Sequence, residues 1–196
     1  MAAQRMPQYM AIDEWRKLER QSEIKHEYID GQVYAMAGGT LDHSFTAVNV
    51  VALLNRALGR GPCRAYNSDA AARLSSTCFT YPDATVTCNE QDRGRISEIQ
   101  TPRVIVEVLS DSTEARDRGI KFEYSRACPS VQEYVLVSTR RQLIEVYSRT
   151  QEGWMLHIYG PGDKLAFTSI DVLLPVAAIY EGTDIPEIMA IPKGEV

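Results

Sequence analysis

One short stretch, residues 102–110 with the sequence Pro-Arg-Val-Ile-Val-Glu-Val-Leu-Ser, constrains the fold more than any other part of the chain. Its β-branched and aliphatic residues, bounded by Pro102 and Ser110, are typical of a strand buried on both faces. Glu107 interrupts this apolar run. Because a buried, ionised carboxylate is costly without a partner, Glu107 needs a cation or a hydrogen-bond donor, or it titrates with a raised pKa. A structural ion pair, or a carboxylate that reaches solvent at the strand end, explains Glu107 equally well at this point.

The length and composition are those of an ordinary globular domain. The chain has 196 residues, 44% of them hydrophobic and 24% charged, which is enough for one well-buried core. We therefore expect a single domain over residues 1–196, with a core from about residue 10 to about residue 182 and a loose tail over residues 183–196.

Targeting and charge patterns narrow the function classes. The first ten residues lack the apolar core of a signal peptide, and no window reaches the roughly 18 apolar residues of a membrane span. We therefore expect a cytoplasmic protein without a membrane partner. The net charge of −5 and the pI of about 5.3 give no global attraction to nucleic acid. Any binding to nucleic acid would have to rely on a local basic face or on metal ions.

The cysteines and histidines show no ligand spacing. The four cysteines stand at positions 63, 78, 88 and 128, without a C-x-x-C pair, which argues against a structural zinc site and a redox dithiol. We expect all four to be reduced and partly buried. The three histidines, His26, His43 and His157, form no pair at helical spacing.

Hydrophobic periodicity predicts alternating helices and strands. We expect an amphipathic helix over residues 11–21, a hairpin turning at Asp30-Gly31, and a helix over residues 42–58 that is apolar on nearly all faces and so largely buried. Strands are expected over residues 70–74, 79–88 and 131–137, and a closing hairpin within residues 143–159. Residues 111–114 supply several possible caps for a helix that runs to about residue 127. This order predicts an α/β fold with a mixed central β-sheet flanked by helices.

Charged residues at three places within these elements are candidates for a site. Asp83 lies in a strand-like segment, and Glu27 lies just before the Asp30-Gly31 turn, on the face of Ile29. In the helix after residue 110, Asp117 and Lys121 stand four residues apart. Lys121 therefore has an alternative role in a surface ion pair, which contributes only a few tenths of a kcal/mol.

Four motifs carry a family resemblance. They are Tyr81-Pro82-Asp83, Val106-Glu107-Val108-Leu109-Ser110, Asp117-Arg118-Gly119-Ile120-Lys121, and the run Val-Gln-Glu-Tyr-Val-Leu-Val over residues 131–137. Together they resemble the Uma-two family of restriction endonucleases, within the PD-(D/E)XK nuclease superfamily. The hairpin around Asp30 and the helix opening at His43 are also similar to that family, and the resemblance spans roughly residues 10 to 182.

The resemblance implies a restriction-endonuclease-like core and a metal-dependent endonuclease that hydrolyses DNA phosphodiester bonds. Asp83 and Glu107 would be the ligands of Mg²⁺ or Mn²⁺, hard cations that prefer carboxylate oxygen, neutralise phosphate charge and activate water. In the wider superfamily a lysine stands two residues after the glutamate and assists the attacking water. Here that position is Leu109. The family pattern moves the lysine to the following helix, which points to Lys121.

Two further residues belong to the implied site. Glu27 resembles an additional acidic member, and His43 resembles an auxiliary residue at the helix mouth. Hydrogen-bonded structural roles are the alternatives for both.

A second function class stays open, because fold alone does not establish activity: a non-catalytic nucleic-acid-binding or assembly module on a nuclease fold. A metal ion between Asp83 and Glu107 would favour catalysis, whereas a lysine or arginine in that space would favour a structural role. A homodimer is expected from the resemblance and from the apolar content of the closing strands.

Overall fold

The computed structural model describes residues 8–36, 38–94 and 98–187. The helices are α1 Ile12–Gln21, α2 Leu41–Leu58, α3 Glu114–Arg116, α4 Phe122–Ala127 and α5 Val176–Ile179. The strands are β1 Gln8–Tyr9, β2 His26–Ile29, β3 Gln32–Ala35, β4 Arg64–Asn67, β5 Ala71–Arg73, β6 Cys78–Thr80, β7 Ala84–Thr87, β8 Glu98–Ile99, β9 Val104–Val108, β10 Glu133–Val137, β11 Ile144–Arg149, β12 Trp154–Tyr159, β13 Lys164–Phe167 and β14 Val172–Pro175. Short 3₁₀ turns span Glu90–Asp92 and Thr168–Ile170, and a π-helical turn, Asp117–Lys121, joins α3 to α4.

Most strands of the described residues belong to two six-stranded sheets. Sheet A has the order β1-β3-β2-β6-β5-β8, and sheet B has the order β12-β11-β10-β9-β7-β4. Strands β13 and β14 form a separate antiparallel pair. Sheet B is mixed, since β9 and β10 run parallel while its other neighbours run antiparallel. The predicted α/β fold with mixed β structure flanked by helices is confirmed, with the strands divided between two sheets.

The β2–β3 hairpin of sheet A follows the sequence prediction. Its turn residues, Asp30 and Gly31, have φ angles of 47° and 83°, the left-handed conformation that suits a two-residue turn between twisted strands. His26 pairs with Ala35 and Ile29 with Gln32 across the hairpin. The same register pairs Glu27 with Tyr34, and Glu27 is buried.

The central strands of sheet B, β9 and β10, are buried between two layers. All five residues of β9 are buried, as predicted for this apolar run. Val106 packs in one cluster with Val50 and Leu54 of α2, whereas Ile105 packs in a second cluster with Ile29 and Cys78 of sheet A. Because strand side chains alternate, Glu107 lies on the Ile105 face, toward sheet A.

Helix α2 is less buried than its composition predicts. Val50 and Leu54 are buried against sheet B, while Leu41, Phe45 and Val48 are exposed by 90%, 49% and 60%. The prediction of a largely buried helix is wrong. Only one stripe of a helix can contact a sheet, so apolar residues outside that stripe stay exposed. The helix begins after Thr40, whose hydroxyl accepts a hydrogen bond from the backbone N–H of His43.

Two of the cysteines form a disulfide. Cys63 and Cys88 are bonded to each other, and Cys78 and Cys128 are free and buried. The β4–β7 register pairs Arg64 with Thr87, so Cys63 and Cys88, one residue beyond this pair, lie opposite each other. The expectation of four reduced cysteines is therefore wrong for Cys63 and Cys88, since strand register cannot be derived from their spacing.

The chain after residue 182 is attached to the core as far as it is described. Ile185 is buried, and the backbone N–H of Gln142 donates to the carbonyl of Pro186 at 3.0 Å. The rest of the expected loose tail, residues 188–196, lies outside the described residues. No helix in the described part of the chain is both long and apolar enough to cross a membrane.

Candidate active site

The centre of the candidate site is a buried ammonium surrounded by carboxylates. Lys121 Nζ lies 2.7 Å from Glu107 Oε1, 3.0 Å from Glu27 Oε1 and 3.0 Å from Asp117 Oδ1. The Lys121 side chain is 5% exposed, and those of Glu27, Glu107 and Asp117 are 6%, 4% and 2% exposed. We call these four residues the Lys121 cluster. Because all four are buried, the surface ion pair considered for Lys121 is wrong, although its i,i+4 contact with Asp117 exists.

Three different elements meet at this cluster. Glu27 comes from β2 of sheet A, Glu107 from β9 of sheet B, and Asp117 and Lys121 from the π-helical turn after α3. The turn departs from helical geometry at Gly119, with φ −101° and ψ −107°. The Tyr134 hydroxyl donates to the Asp117 carbonyl at 2.8 Å, which ties the turn to β10. Single π-helical turns occur frequently at functional sites.

Asp83 lies beside Glu107 at the end of the neighbouring strand. The β7–β9 register pairs Ala84 with Val106, and one further step places Asp83 opposite Glu107 on the same face. In an antiparallel pair, opposite residues have Cβ atoms about 4.5–5.5 Å apart. The Val108 backbone N–H donates to Asp83 Oδ2 at 2.7 Å and fixes the carboxylate at this position. The two carboxylates therefore lie at neighbouring strand ends on the same face of sheet B.

His43, at the start of α2, reaches the outer side of Asp83. Its Nε2 stands 3.6 Å from Asp83 Oδ2, so the two form an ion pair only when the imidazole is protonated. The side chains of His43 and Asp83 are 18% and 16% exposed, several times more than those of the Lys121 cluster. The site is therefore more open toward Asp83 than toward Glu107.

Burial and charge shift the titration of the central groups. Burial raises the pKa of Glu107 well above its usual range; Lys121 opposes this rise, and the other carboxylates add to it. Burial alone would lower the pKa of Lys121, but Glu107, Glu27 and Asp117 outweigh it and hold that pKa well above its usual range. Lys121 is therefore charged at neutral pH.

At the edge of the site, burial and nearby polar groups also have opposite effects on the pKa of Asp83. Burial raises the pKa of Asp83, while His43 and the Val108 N–H favour the ionised form. The Lys121 cluster and Asp83 together contain four carboxyl groups and one ammonium. A second cation would therefore stabilise their ionised state.

The carboxylate oxygens of the site are donor atoms of the kind that a small divalent cation prefers. Glu107 Oε1 and Asp117 Oδ1 stand at ion-pair distance from Lys121 but outside hydrogen-bond geometry, so both are buried acceptors without a hydrogen-bond donor. No group of three or more His, Cys, Asp or Glu side chains in the described ranges has the arrangement of a metal site. Asp83 and Glu107 still suit Mg²⁺, which keeps several waters and is commonly held by one or two carboxylates plus substrate phosphates.

The structure brings together the residues singled out in the sequence. Glu27, Glu107 and Lys121 are in direct contact, and Asp83 lies opposite Glu107 with His43 beside it. Sequence reasoning missed Asp117 as a member of the site. The sequence shows that Asp117 and Lys121 are four residues apart, but it does not show whether the pair faces solvent or the protein interior.

A comparison with protein-family models matches residues 12–174 to Uma2, described as "Putative restriction endonuclease". The chain belongs to the Uma2 family. The matched range contains the whole Lys121 cluster and Asp83, so the resemblance noted in the sequence is confirmed over the part of the chain that forms the site.

Curated relatives match this Uma2 chain over most of their length. The uncharacterized protein slr1290 of Synechocystis sp. is 40% identical over 175 residues, which cover 88% of this chain and 92% of the relative. The uncharacterized protein sll1609 of the same organism is 27% identical over 165 residues, which cover 81% and 93%.

A solved structure shares the fold. The crystal structure titled as a putative nuclease belonging to DUF820 from Anabaena variabilis superposes with a TM-score of 0.72 at 19% identity, covering 87% of this chain and 97% of that one. At this identity the likeness concerns the fold. The Uma2 protein has the restriction-endonuclease-like α/β architecture that its sequence predicts.

Proposed function

We propose that this Uma2 protein is a metal-dependent endonuclease that hydrolyses phosphodiester bonds of DNA. The observation that carries the proposal is the convergence of two acids and one lysine at adjacent strand ends. Asp83 and Glu107 share a face, and Lys121 Nζ lies 2.7 Å from Glu107 Oε1. Family membership supports the same reaction class.

Asp83 and Glu107 are the proposed ligands of Mg²⁺ or Mn²⁺. Such an ion supplies charge neutralisation of the phosphate and lowers the pKa of a bound water. The hydrogen bond from Val108 N–H holds Asp83 in place, so one of the two ligands is oriented before any ion arrives. The more exposed side of the site, at Asp83 and His43, is the direction from which DNA would approach.

Lys121 is the proposed catalytic cation. Its ammonium stays charged, and it can stabilise negative charge that develops on the phosphate or orient the attacking water. Glu27 completes the site as the additional acid. It accepts from the Tyr81 N–H at 3.3 Å and contacts Lys121 at 3.0 Å, so it orients the ammonium.

Glu107→Gln and Asp83→Asn test the proposal, because each keeps the side-chain shape and removes one metal-binding charge. We expect the wild type to cleave plasmid DNA with Mg²⁺ or Mn²⁺ but not with EDTA, and both variants to lose cleavage and Mg²⁺ binding by calorimetry. Glu152→Gln, at an exposed acid in the β11–β12 turn, is the matched control and should cleave like the wild type. Undiminished cleavage by Glu107→Gln would exclude these ligands.

One observation favours a second candidate function, a non-catalytic nucleic-acid-binding or assembly module. Lys121 already gives Glu107, Glu27 and Asp117 a buried cation, so the cluster can hold sheet A, sheet B and the following helix together without a metal. In that case Glu107→Gln would lower stability. Wild-type protein that binds DNA without binding Mg²⁺ or cleaving the DNA would support this alternative.

We also propose that the protein acts as a homodimer. Strand β12 has one free edge among the described strands, and its side chains at Met155, Leu156 and Ile158 are exposed by 51%, 43% and 60%. A long apolar strand edge is a template for pairing with another strand.

A further inference from the structure

Arg116 differs from the other partly buried arginines. Arg64, Arg73, Arg103 and Arg149 each donate hydrogen bonds to carbonyl or amide oxygens. Within residues 8–36, 38–94 and 98–187, Arg116 is the one partly buried arginine that makes no hydrogen bond, and its Nε is buried. A buried donor without an acceptor is destabilising, so this arrangement requires an explanation.

The guanidinium of Arg116 is nevertheless fixed in place. Its Cζ lies 4.4 Å from the centroid of the Tyr34 ring, a cation–π contact that uses the face of the guanidinium. Glu27 Oε2 is 3.9 Å from Arg116 Nε, beyond hydrogen-bond distance. A guanidinium carries its N–H donors along its edges, so stacking on Tyr34 leaves those of the two terminal NH₂ groups without a hydrogen bond to the described residues, while Nε is buried.

The position of Arg116 connects it to the site. It is the last residue of α3 and directly precedes the π-helical turn that carries Asp117 and Lys121. Glu27 contacts Lys121 with Oε1 and lies near Arg116 with Oε2, so one carboxylate separates the two cations. The Arg116 side chain is 24% exposed, compared with 5% for Lys121, which places Arg116 at the rim.

Neighbouring exposed arginines already have anionic partners. Arg118 donates to both carboxylate oxygens of Glu145 at 2.8 Å, and Arg140 donates to Asp111 at 2.8 Å. Both guanidinium groups therefore already donate to carboxylates, which the Arg116 guanidinium does not do within the described part of the chain. Packing against Tyr34 accounts for the position of Arg116, but it does not account for unused donors beside a carboxylate cluster.

We propose that Arg116 binds a non-scissile phosphate of the DNA strand that enters this site. The inference rests on the proposed function, since it assumes that DNA is the substrate. A phosphate accepts two parallel N–H donors from a guanidinium, and stacking on Tyr34 orients the planar fork in advance. In a protein with net charge −5, such a local cation offsets the repulsion between the acidic chain and the DNA backbone.

Binding measured without cleavage tests the inference. Fluorescence anisotropy of a labelled short duplex in EDTA, over a range of salt concentrations, gives the affinity and its salt dependence. We expect Arg116→Ala to weaken binding about 10-fold or more. The slope of log affinity against log salt should fall by about 0.9, the effect of one lost phosphate contact. Arg116→Lys should keep most of the slope and lose affinity, because it keeps the charge and loses the bidentate geometry.

Arg126→Ala is the matched control, because Arg126 also stacks on an aromatic ring, that of Phe122, at 5.8 Å, and is exposed. It should bind DNA like the wild type. Equal affinities and salt slopes for Arg116→Ala, Arg116→Lys and Arg126→Ala would overturn the inference, whether or not the wild type cleaves DNA. Weakened binding by the two Arg116 variants with no Mg²⁺-dependent cleavage by the wild type would support the inference and reject the proposed reaction. Wild-type protein that binds no DNA would overturn the inference, whereas the proposed reaction is tested separately by Mg²⁺-dependent cleavage.

Discussion

At the level of single residues, the chemistry depends on what Lys121 neutralises. Its ammonium is buried with three carboxylates that come from separate parts of the chain. In a buried ion cluster, removing one partner is strongly destabilising, because charges of the other sign are left unpaired. Lys121 therefore supports the fold as well as the proposed reaction.

This dual role yields a prediction for Lys121→Ala. We expect the variant to lose metal-dependent cleavage and also to lose about 3–5 kcal/mol of stability in urea unfolding with EDTA present. A surface ion pair of the same residues would have contributed less than about 1 kcal/mol. Circular dichroism at low urea concentration establishes that the protein used for the cleavage assay is folded.

Lys17→Ala is the control for the loss of a lysine, because Lys17 is exposed on α1. It should change neither stability nor cleavage. If Lys121→Ala unfolds at the same urea concentration as Lys17→Ala, the buried cluster does not form. If it stays folded and cleaves DNA normally, Lys121 is not the catalytic cation.

At the level of secondary-structure elements, the sequence identified the parts but not their relative orientation. The apolar run of β9 and the Asp30-Gly31 turn follow from local rules, and both are found. The inward orientation of the Lys121 side chain does not follow from such rules. The helix around it contains a π-helical turn whose phase is set by contacts with sheet B, including the bond from Tyr134 to Asp117.

The disulfide and the exposed side of helix α2 were not predicted, for related reasons. Cys63 and Cys88 meet because β4 and β7 pair in a particular register, and register depends on contacts distant in the sequence. The exposed side of α2, with Phe45 and Val48, is apolar like its buried side, so periodicity alone gave no orientation. Local patterns therefore predicted secondary structure well and tertiary contacts poorly.

Glu133, at the start of β10, provides a prediction at this level. Its carboxylate is buried and accepts hydrogen bonds from the backbone N–H and hydroxyl groups of Thr168 and Ser169. Glu133→Gln replaces one acceptor oxygen with an NH₂ group that faces these donors. We expect a loss of about 1–3 kcal/mol in urea unfolding, because hydrogen bonds to a buried, charged acceptor are lost.

Cleavage separates this structural role from the site. Glu133 pairs with Val104, three residues before Glu107 on β9, at the opposite end of the strand from the Lys121 cluster. The folded Glu133→Gln variant should therefore cleave DNA like the wild type. Glu123→Gln, at an exposed acid on α4, should leave stability unchanged. Equal stabilities of the two variants would contradict the prediction.

At the level of the whole molecule, the candidate site exists only when both sheets and the connecting helix are assembled. Sheet A supplies Glu27, sheet B supplies Glu107, and the π-helical turn supplies Lys121. Each of these charges would be unpaired in a partly folded chain. Formation of the site is therefore coupled to the packing of sheet A against sheet B.

The outer edge of sheet B gives the last prediction, which concerns assembly. Strand β12 pairs only with β11 among the described strands, and its residues, Trp154–Tyr159, include no Asp, Glu, Lys, Arg or Pro. Natural sheet edges are commonly protected by charges, proline or bulges. An antiparallel pair of β12 with its own copy about a two-fold axis would cover both edges without placing like charges opposite each other.

Ile158→Lys tests this dimer, because a charge on the edge strand opposes pairing. Light scattering coupled to gel filtration at tens of micromolar protein should give the wild type twice the chain mass of 22.0 kDa, and the variant that mass itself. Leu173→Lys is the control, since Leu173 is an exposed apolar residue, 65% exposed, on β14 outside sheet B. It should remain a dimer. A monomeric wild type would reject dimerisation, and a dimeric Ile158→Lys variant would place the interface on another surface, because a lysine on each paired β12 strand would oppose the association of the two copies.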